Sequence, residues 1–312
     1  MQNPFKLSPV MIDYIWGGEK LKKNWNKNGG PQKIAESWEL SCYPGRESTI
    51  ASGNHAGLSL ADYLAQFPDA IGKKGHKRFP LLIKLIDATG DLSIQVHPDD
   101  AYALANENQL GKTEMWYIAD AEDGACIYYG FNRDVTADEL REAVRNGTLC
   151  ELLNKIPVKQ GDTFFVEAGT VHALLAGITV IEIQQNSGLT YRLYDYDRRD
   201  DHGNLRELHI EKAIAVANIT KKEIPDQEKG TDNYKDYKIR PLADCPYFKT
   251  REIEINGIYP IFNGESFVTF TVAEGEGFLY DGTAVTKGDT VFVPAGCNTS
   301  INGTITIIET TL

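Results

Sequence analysis

The sequence predicts a mostly β fold carrying a few short helices. Three observations carry that prediction. Short apolar runs alternate with Gly, Asn and Asp punctuation along most of the 312 residues. Helical patterning is confined to a few stretches of one to three turns. A short pattern of Gly-Asp-Thr, apolar strand and Ala-Gly turn occurs twice. Hydrophobic residues make up 42% of the chain, enough for a substantial core, and charged residues 24%, near the globular average.

The elements follow in chain order. Residues 59–66 open with Ser59 as an N-cap and read as a helix. Residues 93–97, 114–118 and 126–129 read as strands. Residues 136–146 begin with a capping box, Thr136 and Glu139 three positions on, and read as a helix; 148–153 is a weaker continuation. Strands are expected at 163–167, 179–184 and 191–195, and one or two helical turns at 209–217. Residues 219–240 change character: 220–229 and 232–238 are charged and poor in apolar residues, which marks a linker. Beyond it, 267–273, 277–280, 290–294 and 304–310 read as strands, with Gly275-Glu276-Gly277 as a turn. The expected division is a larger domain over 1–238, with small helical insertions, and a small all-β domain over 239–312.

The repeat is specific enough to name an architecture. Gly161-Asp162-Thr163 leads through Phe164, Phe165 and Val166 to Ala168-Gly169 and His172. Gly288-Asp289-Thr290 leads through Val291, Phe292 and Val293 to Ala295-Gly296 and Thr299. Both resemble the second half of a cupin motif, which ends in a metal-binding His. The first copy keeps that His but has Glu167 where Pro is usual, a local loosening of φ. The second keeps Pro294 but has Thr299 in place of the His. The resemblance implies two jelly-roll barrels, the first metal-binding and the second metal-free.

Charge and missing motifs exclude several function classes. With 32 Lys plus Arg against 44 Asp plus Glu, the formal charge is −12, which argues against nucleic acid or anionic membrane as a partner. A local cluster of cations can still receive a small anionic substrate. The N-terminal stretch lacks a basic patch followed by an apolar core, and 79–88 is too short to span a bilayer, so a cytoplasmic location is expected. The five cysteines form no CxxC pair and read as reduced, mostly buried thiols. No phosphate-binding loop, nucleophile elbow or dinucleotide fingerprint occurs.

The candidate chemistry lies in three strings. In Leu92-Ser93-Ile94-Gln95-Val96-His97-Pro98, strand periodicity puts Gln95 and His97 on one face. Glu114 opens the strand after Gly111-Lys112-Thr113, and His172 closes the first repeat. Alone, a His before Pro is ordinarily a turn residue and a lone Glu a solvated one. Together, Gln95, His97, Glu114 and His172 form a mixed N/O donor set of the kind that binds zinc or another divalent ion. Lys84 lies inside an apolar run, where its charge is costly without a polar cavity. Arg192, among Tyr191, Tyr194 and Tyr196, reads either as a functional cation or as part of a structural ion pair. Arg198 and Arg199, beside Asp197, Asp200 and Asp201, read as a surface salt-bridge cluster.

The strings FPLLIKLIDA, LSIQVHPDD, GKTEMWY, GTVHAL and TYRLYDYDR, in this order, resemble type I mannose-6-phosphate isomerases of the short bacterial form. The resemblance is close over the first two-thirds of the chain and loose over the C-terminal barrel. It implies a zinc-dependent cupin enzyme, one Zn2+ per chain, interconverting mannose 6-phosphate and fructose 6-phosphate. It implies Gln95, His97, Glu114 and His172 as metal ligands, Arg192 as the catalytic arginine, and Lys84 and Lys112 as lysines of the substrate pocket. The chemistry is compatible: a proton moves between adjacent carbons through an enediol, and a metal and a fixed cation stabilise the negative charge that develops on the oxygens. Arg192 is a poor base. The base is left open among a metal-bound hydroxide, Glu182 and Lys84, as is a monomer or homodimer. Two other functions fit parts of the pattern. An oxygenase-type metal cupin would use His97, Glu114 and His172 as a two-His-one-carboxylate site, and for a non-catalytic sugar-binding or regulatory cupin the C-terminal barrel alone would qualify.

Overall fold

The computed structural model describes residues 3–72, 78–199, 203–228 and 230–312. Its strands form three antiparallel sheets. The first runs in the order Thr163–Val166, Glu114–Ala121, Ile178–Gln185, Leu81–Ala88, Glu36–Leu40, Val10–Ile12. All eight residues of Leu81–Ala88 are buried. Its side chains alternate between two cores, which is why it reads as a continuous apolar run. Leu81, Ile83 and Leu85 join a cluster that includes Phe267 and Phe292 of the C-terminal sheet. Ile86 and Ala88 face inward, with Trp116 and Ile178.

The second sheet covers that inner face, in the order Tyr191–Tyr194, Ile94–Val96, His172–Leu174, Cys126–Phe131, Leu153–Pro157. Ile127, Tyr129 and Leu174 close the inner core from its side. Its outer face carries the helices Ala137–Asn146 and Ile210–Val216 over a third cluster around Ile94, Leu140 and Ala213. The capping box forms in full: Thr136 accepts from the Glu139 N–H, and Glu139 accepts from the Thr136 N–H. Gly147, at φ +71°, ends that helix, so the continuation is only a 3-10 turn, Leu149–Leu152. The helix Leu60–Gln66 has Ser59 as its cap.

The nine-stranded third sheet is dominated by the long strands Lys249–Ile261, Val268–Leu279 and Thr299–Thr311, which surround a core of their own. The two strands expected at 267–273 and 277–280 are one. A register shift between Val272 and Glu274 bends it, with Gly275 at φ +77° inside the strand rather than in a turn. The repeat is conformationally genuine: Gly161 and Gly288 take φ +89° and +90°, Gly169 and Gly296 +87° and +74°.

Residue 238, where the expected domains divide, falls inside the strand Tyr237–Asp244. The third sheet also takes in Phe5–Ser8 and Thr49–Ile50 from the N-terminal region. Lys27 and Glu39 pair beneath this junction at 2.7 Å, both buried, with Thr290 donating to Glu39 and Lys27 to the Gly288 carbonyl. The five cysteines are free and half-buried rather than mostly buried. No helix of the described residues is long and apolar enough to cross a membrane.

Candidate active site

Antiparallel register sets side chains in rows across a sheet, because directly opposed residues point to the same face. On the first sheet Trp38 opposes Lys84, Lys84 opposes Glu182, and Glu182 opposes Trp116. On the second, Arg192 opposes Gln95, and Gln95 opposes His172. The rows meet inside the barrel, where the Trp116 and His172 rings lie 5.3 Å apart, edge to face. Glu114, two residues before Trp116, extends the first row's face. His97, two after Gln95, extends the second.

His97, Glu114 and His172 are buried, with one ligand atom from each lying within 4.8 Å of the others. His97 Nδ1 donates to the Leu189 carbonyl at 2.7 Å, and His172 Nδ1 to the Thr170 carbonyl at 2.8 Å. A carbonyl only accepts, so each ring carries its proton on Nδ1 and turns a bare Nε2 toward the cluster. Burial, with Lys112 and His172 beside it, drives His97 well below its ordinary range. Burial pushes His172 down to about 4, against the Thr170 carbonyl. Both rings are therefore neutral, as metal ligation requires. His172 Nε2 and Glu114 Oε1 lie 3.3 Å apart, and neither has a hydrogen-bond partner. A bare imidazole nitrogen and a carboxylate oxygen facing each other in a buried site fit a divalent cation. Glu114 is pushed up to about 7 by burial and by Glu182, against Lys112. The Lys112 ammonium stands beside the cluster, 2.5 Å from Glu114 Oε2 and 3.2 Å from His97 Nε2. Gln95 is half-buried, in register with His172, and lines the adjoining cavity.

That cavity, about 460 Å³, is lined by Lys84, Lys112, Glu182 and Arg192, all singled out in the sequence. Lys84 Nζ lies 3.4 Å from Glu36, 3.3 Å from Glu182 and 4.9 Å from the Trp38 ring centre. Burial works against its charge, but Glu36, Glu182 and Glu114 outweigh it and raise Lys84 above the ordinary lysine range. It stays protonated, which removes it from the candidate bases. Burial likewise opposes the Glu182 carboxylate, and Lys112, Lys84 and the Trp116 indole N–H outweigh it to hold Glu182 down. Glu182 Oε1 accepts from Trp116 at 3.1 Å, while Oε2 faces the Lys84 ammonium at 3.3 Å.

Arg192 donates to Ser93 Oγ at 3.3 Å and to the Glu207 carbonyl at 2.8 Å, and among the described residues it is not held in a carboxylate ion pair. Arg198 pairs with Asp195 at 2.6 Å; of the acids expected in its surface cluster, Asp200 and Asp201 lie outside the described residues. Among the lining residues that sequence reasoning missed are Glu36, Trp38, Arg46 and Arg206. Glu36 and Trp38 were readable from their two-residue spacing in a strand, whereas Arg206 follows residues with no periodic signal.

Comparison with known proteins follows from this geometry. A family model described as phosphomannose isomerase type I, catalytic domain, matches residues 4–124. The mannose-6-phosphate isomerase ManA of Bacillus subtilis (strain 168) is 39% identical over 298 residues, covering 94% of this chain and 93% of that protein. The mannose-6-phosphate isomerase of Streptococcus mutans serotype c is 37% identical over 297 residues, covering 94% and 93%. The crystal structure of the Bacillus subtilis mannose 6-phosphate isomerase superposes with a TM-score of 0.93 at 38% identity over the whole of both chains. Likeness of this extent, in sequence and in fold, makes the chain a member of the type I phosphomannose isomerase family and an enzyme of carbohydrate metabolism.

Proposed function

We propose that the enzyme interconverts mannose 6-phosphate and fructose 6-phosphate through an enediolate, with a divalent metal held by His97, Glu114 and His172 and by Gln95 as fourth donor. The observation that carries this reading is the unpartnered pair of acceptors, His172 Nε2 and Glu114 Oε1, behind a cavity walled by cations. The nitrogen and oxygen donors suit zinc. When bound, the metal supplies Lewis acidity to the oxygens on the two reacting carbons.

The chain's own residues do the rest. Glu182 is ionised and lines the cavity, so it takes the proton from C2 of the aldose and returns it to C1, while the C2 hydroxyl proton passes to the C1 oxygen and the C2 oxygen becomes the ketose carbonyl. Lys84 keeps Glu182 ionised and adds a fixed positive charge. Arg192, permanently charged and without a carboxylate partner among the described residues, stabilises the negative charge that appears on the enediolate oxygens. An oxygenase using the same two histidines and one carboxylate would have no need of this set of cations. The test is a coupled assay of mannose 6-phosphate turnover before and after EDTA treatment. Turnover that vanishes and returns with zinc supports the reading. Turnover by metal-free protein contradicts it.

A further inference from the structure

Five cations line the cavity: Arg46, Lys84, Lys112, Arg192 and Arg206. Three are already neutralised. Lys84 lies between Glu36 and Glu182, Lys112 is paired with Glu114, and Arg206 is doubly bonded to Asp195, at 2.7 Å through its Nε. Arg192 is set apart by its position in the row with Gln95 and His172, which leads to the His97–Glu114–His172 cluster. Arg46 is left. Among the described residues its guanidinium meets no carboxylate: it donates to Tyr14 Oη at 3.2 Å and lies 4.8 Å from the centre of the Trp38 ring.

The chain holds Arg46 there by local design. Tyr43-Pro44-Gly45-Arg46 closes a type II turn: Pro44 presets its own φ, Gly45 takes φ +77°, and the Arg46 N–H donates to the Tyr43 carbonyl at 2.9 Å. Ser48 N–H donates to the Ser41 carbonyl at 2.9 Å and ties the base of the loop. Tyr14, which receives the guanidinium, stacks on Trp16, and Tyr43 meets Trp38 edge to face. The result is a preorganised, unneutralised fork on an aromatic wall of the cavity. A planar guanidinium matches the oxygens of a phosphate monoester in two parallel hydrogen bonds.

We propose that Arg46 binds the phosphate of the sugar phosphate substrate and sets the preference for a phosphorylated over a free sugar. This rests on the isomerase reading for the identity of the sugar, but not for phosphate binding itself. Arg46 holds substrate and transition state alike, so its loss raises KM with little change in kcat.

The test uses the metal-loaded enzyme, Arg46→Ala, Arg46→Lys and Tyr14→Phe, with metal content and thermal melting measured alongside. Inorganic phosphate is titrated calorimetrically at low salt, and KM and kcat are measured for mannose 6-phosphate and for free mannose. The expected result for Arg46→Ala is a loss of ~10- to 100-fold in phosphate affinity and a matching rise in KM for mannose 6-phosphate. Catalytic efficiency on free mannose stays at the wild-type level. Arg46→Lys recovers part of the loss, and Tyr14→Phe shows a smaller loss of the same kind. Phosphate affinity or KM unchanged in Arg46→Ala overturns the proposal, as does a fall in kcat at constant KM. Wild-type protein that binds phosphate through Arg46 but does not turn over mannose 6-phosphate upholds the anchor and defeats the isomerase reading.

Discussion

Glu182→Gln isolates the proton-transfer step. The substitution preserves shape and the contact with the Trp116 indole at 3.1 Å, and removes the charge and the basic oxygen. A positioned general base contributes about 10²- to 10⁴-fold, which at 1.36 kcal/mol per tenfold is about 3–5 kcal/mol of barrier. Folding should survive, because Lys84 keeps Glu36 at 3.4 Å and is not left as a buried charge without a partner. The expected result is kcat reduced by about 10² or more, KM changed far less, and metal content equal to wild type. The pH profile gives a second reading. A base acts only when deprotonated, so turnover falls as pH drops through its pKa. Lys112 and Lys84 hold Glu182 down against burial, which puts the wild-type acid limb below the ordinary carboxylate range. In Lys84→Met that limb should move up in pH. Single-turnover and steady-state assays at several pH values check both points. A Glu182→Gln enzyme with kcat within tenfold of wild type would remove Glu182 from the mechanism.

Arg192→Ala should lower turnover by roughly a hundredfold or more, with metal retained and KM little changed, as expected for a charge that matters only in the transition state; steady-state kinetics with elemental analysis check it. His172→Ala should lose the metal, measured by elemental analysis on protein whose melting profile shows it folded. Glu39→Gln leaves the buried Lys27 ammonium with neutral acceptors only, among them the Gly288 carbonyl, and should cost about 3–5 kcal/mol in denaturant unfolding. Asp195 is held below its ordinary value by Arg206 and Arg198, against burial. A depressed carboxylate contributes stability above its unfolded pKa of about 4 and loses it as pH falls through the lower folded value. Asp195→Asn should therefore melt lower than wild type at pH 7 and show a flatter decline below about pH 4.

That Gln95, His97 and His172 come together was legible because strand periodicity alone puts Gln95 and His97 on one face, and the repeat fixes His172 after Gly169. Lys84 was legible for a different reason: a lysine inside a buried apolar run implies a polar cavity, and Glu36 and Glu182 are that cavity's answer. What stayed hidden depended on distant partners. Lys84 as a base was an open option until three carboxylates around it appeared in space. The N-terminal strand Phe5–Ser8 gives no local sign that it pairs with Thr290–Val293 nearly the whole chain away. The helix Asp100–Glu107 was missed although Asp99 caps it by accepting from the Tyr102 N–H, because the preceding His-Pro drew the reading toward a turn. Val268–Leu279 was split in two because glycines inside a strand look like a turn until the partner strand is known.

The most direct measurement pairs metal content with turnover on one preparation of the wild-type protein. Elemental analysis and a coupled mannose 6-phosphate assay are run on the protein as purified, after chelation, and after addition of zinc. The expected result is one equivalent of divalent metal per chain, turnover lost in step with metal, and turnover restored with it. Undiminished turnover in metal-free protein would contradict a metal centre at His97, Glu114 and His172.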